Sequence, residues 1–312
     1  MKERLHKYLA HCGIASRRKC EQLILEGRVA VDGKTVKELG VQVDPERQKI
    51  RLDGERVRLQ PKVYFLVHKP AGVECTQGTP QGMRRGFKRN RRLTDLLPPM
   101  RERVYSVGRL DHDSEGIILV TNDGDLCQRL THPRYRIPRT YHVVLEGCFE
   151  GPAVEKIQKG VWLSDGKTGE SKVLIKKRAR DVTVLEITIH EGMNREVRRI
   201  FAKVGFKVRH LKRIRFGPLE LGNVGRGRFR PLTGDEIRSL RNLLKPPAEV
   251  PGRQEGWTPA RGPGHVGASE RPSVARHGSP QVGASESLSV GGLPESDDDG
   301  EPIAPLDSGE EE

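Results

Sequence analysis

Aromatic residues make up only 4% of this 312-residue chain, and all hydrophobic residues together only 34%. With so little apolar material, part of the chain is expected to stay outside any packed core, because such segments cannot offset the entropy lost on ordering. No apolar run reaches membrane-spanning length and no long amphipathic anchor is present, which argues against a lipid partner. The opening residues, MKERLHKYLA, hold no apolar stretch of signal-peptide length, so secretion is not expected. The five cysteines, Cys12, Cys20, Cys75, Cys127 and Cys148, form no C-x-x-C pair and no zinc spacing. Unpaired thiols in odd number fit a reduced, cytoplasmic setting. Positive charge is plentiful but unevenly spread. Residues 246–312 hold 4 Arg and no Lys against 13 Asp plus Glu, a net −9, so the overall +14 leaves +23 on residues 1–245. A body that basic points to nucleic acid.

The pattern along the chain divides it into three. In residues 1–60, ERLHKYLAHCGI places Leu5, Tyr8 and Leu9 at helical spacing before Gly13. Ser16 is a candidate N-cap for a second helix that ends at Gly27. Two alternating segments then turn at Asp32-Gly33 and Asp53-Gly54, dipeptides suited to tight hairpins. In residues 61–245, strands are expected at KVYFLVHKP, IILVT, TYHVVLE, KVLIKK and VTVLEITIH. Helices are expected at PAVEKIQKG, NREVRRIFAKVG and TGDEIRSLRNLLK. Strands outnumber helices and several connections read as hairpins, so the class is α+β with a mixed, mostly antiparallel sheet. Residues 246–312 lose all periodicity, are rich in Gly and Pro, and end in acidic runs, the composition of a disordered tail.

Arg17, Arg18 and Lys19 stand in the first turn of the second helix, where cations oppose the helix dipole. Free backbone N–H groups at that end suit a phosphate. On composition alone this is RNA binding or a solvated basic face. The run RLHKYLAHCGIASRRKCEQLILEGRVAVDGKTV resembles the small α-L RNA-binding domain named after ribosomal protein S-four. The resemblance implies that Ser16, Arg17, Arg18, Lys19, Arg28, Lys34 and, further out, Arg4 contact structured RNA.

GRLDHDSEG, residues 108–116, alternates Asp111, Asp113 and Glu115 and then a glycine. A twelve-residue calcium loop beginning at Asp111 needs a bidentate carboxylate at its last position, but Asn122 stands there and an apolar strand fills the second half. No metal is expected. A plain turn is the simplest remaining reading, since Asp and Ser bond nearby backbone amides. The wider run VGRLDHDSEGIILVTNDGDLCQRLTHP resembles the central motif of the RNA pseudouridine synthases. RTYHV and EGMNREVRRIFAKVGFKVRHLKRIRFGPLELG follow in that family's order and resemble its second and third motifs. Together with the N-terminal module the resemblance covers about 240 residues, of the RsuA/RluB type. The run N-R-E-V-R-R leans toward the large-subunit enzymes.

The resemblance implies an isomerase that detaches uracil from its ribose and rejoins it through C5, with no metal, ATP or redox cofactor. Asp111 matches the catalytic carboxylate, as nucleophile or as base on the ribose. Arg198 matches the arginine that pairs with it, and a nearby cation would keep a carboxylate ionised beneath a bound nucleotide. Arg195 and Arg199 are alternatives on the same helix, or phosphate ligands. Tyr141 matches the residue that stacks on the flipped base, though by itself it reads as a half-buried strand tyrosine. Leu211 matches the apolar lining of the uracil pocket, though alone it reads as core. Arg109 backs the flipped-out position or holds a phosphate; His112 reads as a surface group, and Asp113 and Glu115 as loop formers. Arg139 stands where the family commonly has lysine, a change that keeps charge but not geometry. The basic segment 82–92 is expected to touch substrate RNA. The resulting expectation is a monomeric cytoplasmic pseudouridine synthase acting on ribosomal RNA, on the 23S molecule in preference to 16S. The alternative is a non-catalytic RNA-binding assembly factor.

Overall fold

The computed structural model of the protein describes residues 2–76 and 91–244. Helix α1 (Leu5–His11) buries Leu5, Tyr8 and Leu9, and α2 (Arg17–Leu25) buries Cys20, Leu23 and Ile24. The Ser16 hydroxyl accepts the Lys19 N–H at 3.3 Å, so it caps α2 as its position suggests. Strands β1 (Val29–Val31), β2 (Lys34–Val36), β3 (Ile50–Leu52) and β4 (Glu55–Arg56) make a four-stranded antiparallel sheet. Its two hairpins turn through left-handed pairs, Asp32 at φ 48° with Gly33 at 83°, and Asp53 at 50° with Gly54 at 84°. Both central positions of such a turn need positive φ, which is why Asp-Gly serves there. Helices and sheet share one small core that includes Leu9, Ile24, Val29 and Ile50.

A nine-stranded sheet dominates the rest. In chain order come β5 (Tyr64–Lys69), β6 (Glu115–Thr121), α3 (Gly124–Thr131), β7 (Arg139–Glu146), α4 (Pro152–Gln158) and the short hairpin β8 (Trp162–Leu163) with β9 (Gly166–Lys167). After them come β10 (Lys172–Arg178), β11 (Val182–Ile189), α5 (Glu196–Lys203), β12 (Val208–Phe216), β13 (Phe229–Pro231) and α6 (Gly234–Leu243). The sheet runs β10-β11-β7-β12-β6-β5-β13. Its main ladders are antiparallel except β6 against β12, which run parallel at Glu115↔Lys212 and Gly116↔Arg213.

Strand β6 shows why the fold needs two layers of helix. All seven of its residues are buried. Ile118 and Val120 join a core with Phe149, Ile200 and Phe201, while Ile117 and Leu119 join another with Leu126, Leu130 and Leu240. An apolar run is the mark of a strand covered on both faces. Strand β7 has one fully covered face, with Tyr141, Val143 and Leu145 buried and His142, Val144 and Glu146 partly open. Strand β12, at the centre, was not among the expected strands. Its sequence VRHLKRIRF is mostly cationic, yet Val208, Leu211, Arg213 and Phe216 are buried.

The acidic segment 246–312, with its expected disorder, lies outside the described residues, as does the basic segment 82–92 apart from Arg91 and Arg92. Those two pair in parallel with Val73 and Glu74.

Candidate active site

The loop carrying Asp111 is fastened from three sides. From below, the Lys69 ammonium at the end of β5 donates to the carbonyls of Ser114 at 2.7 Å, Pro70 at 3.1 Å and His112 at 3.4 Å. Lys69 is fully buried, and burial pulls its pKa down. The Gly72 N–H adds a bond to the His112 carbonyl at 2.8 Å, and the Ser114 N–H reaches back to Asp111 O at 3.1 Å. The Cys75 thiol lies against the backbone of Leu110, accepting from its N–H at 3.4 Å.

From the side, Asp113 accepts both terminal nitrogens of Arg195 at 3.2 Å and one from Arg198 at 3.2 Å. Burial raises the Asp113 pKa, but the Arg195 hydrogen bonds and the Arg198 charge outweigh it and leave the group below the usual value. At the far end, Glu115 meets Arg226 at 2.6 Å and His210 at 3.0 Å. Asp113 and Glu115 therefore anchor the loop through ion pairs as well as shaping the turn.

Gly116 closes the loop against β12. Its φ is +116°, and a Cβ there would sit 2.1 Å from the carbonyl oxygen of Arg213 and 2.5 Å from its nitrogen. Only glycine fits a backbone this close at that angle. The loop and the strand carrying Leu211 are thus fixed to each other.

These constraints set Asp111 at the wall of a cleft of about 430 Å³, a size suited to a small ligand group. Arg109, Tyr141 and Leu211 line the same cleft, with Ile189, Val197 and Phe216 adding apolar surface. Tyr141 and Leu211 are 8% and 5% exposed, so both face inward, while the Asp111 side chain keeps 28% of its surface open. Expected site residues from three distant segments therefore converge. His112 is exposed, in keeping with a surface group.

The cation assignment is corrected. Arg198 does not pair with Asp111: it donates to Val208 O at 3.1 Å and to Asp113 O at 3.2 Å, in addition to the Asp113 carboxylate. Among the described residues, the guanidinium within ion-pair reach of Asp111 is that of Arg195, at 3.9 Å from Oδ2. Arg195 precedes α5 in a left-handed conformation, φ 45°, which turns its side chain toward the loop. Arg199 points elsewhere, gripping Asp165 and the Ser164 hydroxyl.

Two lining residues, Arg213 and Glu196, were not singled out from sequence. Arg213 lies two positions beyond Leu211 on β12 and so shares its face. It is 2% exposed and donates to Ile117 O at 2.9 Å, and its guanidinium lies 5.2 Å from the Phe216 ring centroid. Glu196, 3% exposed, accepts the N–H groups of Gly192 at 2.7 Å and Met193 at 2.9 Å, folding the segment that presents Arg195. Burial, with Glu191 nearby, pushes its pKa up. Arg139 donates from one terminal nitrogen to the carbonyls of His190 at 3.2 Å and Glu191 at 2.7 Å.

In the N-terminal module, Arg17, Arg18, Lys19 and Lys34 are exposed, and Arg4 and Arg17 line a shallow groove with Lys2 and Lys7. Arg17 also reaches His6 Nε2 at 3.0 Å. Arg28 differs from its expected place on a free basic face: it grips Asp53 through two bonds, at 2.9 and 2.5 Å.

A basic module precedes a sheet-backed cleft in which Asp111 stands among arginines with Tyr141 and Phe216 beside it, a lining suited to a nucleic-acid base. The family model for RNA pseudouridylate synthase matches residues 63–203, and that for the S4 domain matches residues 3–49. The chain is 40% identical over 243 residues to "Ribosomal large subunit pseudouridine synthase B" of Bacillus subtilis, spanning 77% of this chain and 96% of that protein. It is 40% identical over 241 residues to an RNA pseudouridine synthase of Aquifex aeolicus, spanning 77% and 94%. A solved pseudouridylate synthase superposes with a TM-score of 0.55 at 28% identity, over 76% of this chain and 99% of the other. The chain belongs to the RNA pseudouridine synthase family, with an N-terminal S4 RNA-binding domain, and is an isomerase.

Proposed function

We propose that the protein converts a uridine of large-subunit ribosomal RNA, the 23S molecule, to pseudouridine, with Asp111 as the catalytic carboxylate. Residues 1–60 dock the RNA and residues 61–245 carry out the reaction. The likeness to the Bacillus subtilis protein supports the ribosomal target. The observation that carries the reading is the convergence of Asp111, Tyr141 and Leu211 on one cleft. In the reaction the C1′–N1 bond breaks, the uracil turns while held, and C5 bonds to C1′, the proton lost from C5 being matched by one gained at N1. Atoms balance within the substrate. Asp111, as nucleophile at the sugar or as base on it, opens the sequence. Tyr141 stacks the flipped base, which grips any pyrimidine by its face, and we assign its phenol as the relay for the C5 proton. Leu211, with Ile189 and Val197, keeps the detached base from water. Arg195 faces Asp111 across 3.9 Å and, with Arg109, supplies positive charge for the flanking phosphates.

The test is to delete the gene, map pseudouridines across 23S and 16S rRNA, and complement with the intact gene or Asp111→Asn. Restoration of one 23S site by the intact gene and not by the variant is expected. No site restored by the intact protein refutes the enzyme's ribosomal role, and full restoration by Asp111→Asn refutes the assignment of Asp111.

A further inference from the structure

Thr121 closes β6 and Asn122 to Asp125 follow it, away from the reacting groups; the first three fasten the connecting segment 61–64, and Gly124 and Asp125 meet α1 of the N-terminal module. The Thr121 hydroxyl donates to Val63 O at 2.6 Å. The Asn122 side chain accepts the Val63 N–H at 2.9 Å and donates to Pro61 O at 2.8 Å, clamping the connecting segment from both sides. Asp123 accepts the Tyr64 hydroxyl at 2.8 Å. Gly124 leaves only hydrogen-sized room: a Cβ there would lie 3.2 Å from His11 Nε2 and 3.1 Å from the Tyr105 hydroxyl oxygen. Asp125 then meets Lys7 of α1 at 2.8 Å. Gln60 ties the same connection to Arg101 O and the Arg103 N–H, both at 3.3 Å.

Lys7 and Asp125 are 30% and 58% exposed, so neither is needed to fill a core. Lys7 lines a groove in which Lys2, Arg4 and Arg17 of the module stand beside Gln128 of α3. The pair thus sits where the basic docking face runs onto the catalytic domain. We infer that the Lys7–Asp125 ion pair latches the RNA-docking module to the catalytic domain at one angle, so that the protein reads the spacing between docked RNA and target uridine. The inference rests on the module docking the substrate RNA. It makes the two residues positioning groups for specificity, with no part in bond making. A loose tether would let any RNA that binds the module offer its uridines to the cleft, whereas a latched one accepts only RNAs whose geometry matches.

Charge reversal separates a latch from a simple charge effect. Adding a cation beside an RNA groove tightens RNA binding on electrostatics alone. A latch predicts the opposite for Asp125→Lys, which sets two ammonium groups against each other. The full chain is compared with Asp125→Lys and with the exchanged pair Lys7→Asp/Asp125→Lys. The readouts are small-angle scattering of the free proteins and pseudouridine formation on a 23S rRNA transcript and on a short hairpin excised around the mapped uridine. Expected for Asp125→Lys are an enlarged radius of gyration, a KM on the transcript raised about tenfold, and a hairpin rate within twofold of wild type. The exchanged pair restores both the radius and the KM. Unchanged scattering with equal or tighter transcript binding in Asp125→Lys overturns the latch, as does failure of the exchange to restore either readout. If wild-type protein modifies neither RNA, the ribosomal reading fails, and scattering still decides the latch.

Discussion

Gly116→Ala is expected to loosen the joint between the Asp111 loop and β12, and its cost has two separable parts. Holding a residue with a side chain at φ +116° costs about 1–3 kcal/mol. The added Cβ also meets Arg213 backbone atoms at 2.1 and 2.5 Å, which no side-chain rotation relieves. Forcing the strands apart adds about 1–3 kcal/mol, the usual range for overpacking. Gly205 supplies the comparison within the same domain: its φ is +87°, but nothing lies within 4 Å of its missing Cβ. Gly205→Ala therefore carries only the backbone cost. At roughly 2–4 °C per kcal/mol for a domain of this size, Gly116→Ala should melt about 4–24 °C below wild type and clearly below Gly205→Ala. Calorimetry gives the melting difference, and steady-state kinetics on RNA gives kcat, which should fall for Gly116→Ala and hold for Gly205→Ala. If the two variants melt together with equal kcat, the close approach of β6 to β12 does not position the catalytic loop.

Lys69→Met leaves the carbonyls of Ser114 and Pro70 without their donor, at about 1–3 kcal/mol for each buried acceptor, partly offset because no charge is then buried. Melting should drop and kcat should fall more than KM rises, since the loss is in placing Asp111. Arg195→Ala should lower kcat with little change in melting, because that side chain is half exposed, whereas Arg198→Ala should mainly lower stability through its lost bond to Val208 O. Glu196 has a raised folded pKa, so its contribution is full below the unfolded value near 4.5 and is lost as pH rises through the raised one. Glu196→Gln should accordingly gain stability relative to wild type as pH climbs above 4.5, read from denaturant midpoints across a pH series.

The run from Ile117 to Thr121 was legible because an unbroken apolar stretch between turns has few alternatives to a buried strand, although the strand begins two residues earlier, at Glu115. The two Asp-Gly turns and the Ser16 cap were legible because short-range backbone chemistry decides them. Strand β12 was hidden by its own cations, whose long aliphatic stems and ion pairs let them lie in or beside a sheet. Arg195 and Arg198 could not be told apart from spacing, since the left-handed kink at Arg195 that aims its side chain has no strong sequence mark. Lys69, beside a proline at a strand end, reads as surface charge, because lysine is rarely fully buried. Only the fold shows three carbonyls converging there. The convergence of Asp111, Tyr141 and Leu211 came from the resemblance to a family, since nothing local to three separate segments says that they meet.

Several of the guanidinium groups already face a carboxylate: Arg28 with Asp53, Arg195 with Asp113, Arg199 with Asp165, Arg226 with Glu115 and Arg230 with Glu236. A phosphate arriving at such a group exchanges one bound anion for another, and fewer condensed ions are set free than the formal charge implies. Each phosphate neutralised by an unpaired cation steepens the logarithmic dependence of affinity on salt by about 0.7–0.9. RNA binding should therefore weaken with added salt more gently than the 52 Lys and Arg of residues 1–245 suggest, with the slope set largely by exposed groups such as Arg18 and Lys19. The internal pairing that fastens the Asp111 loop should also leave RNA binding less sensitive to ionic strength.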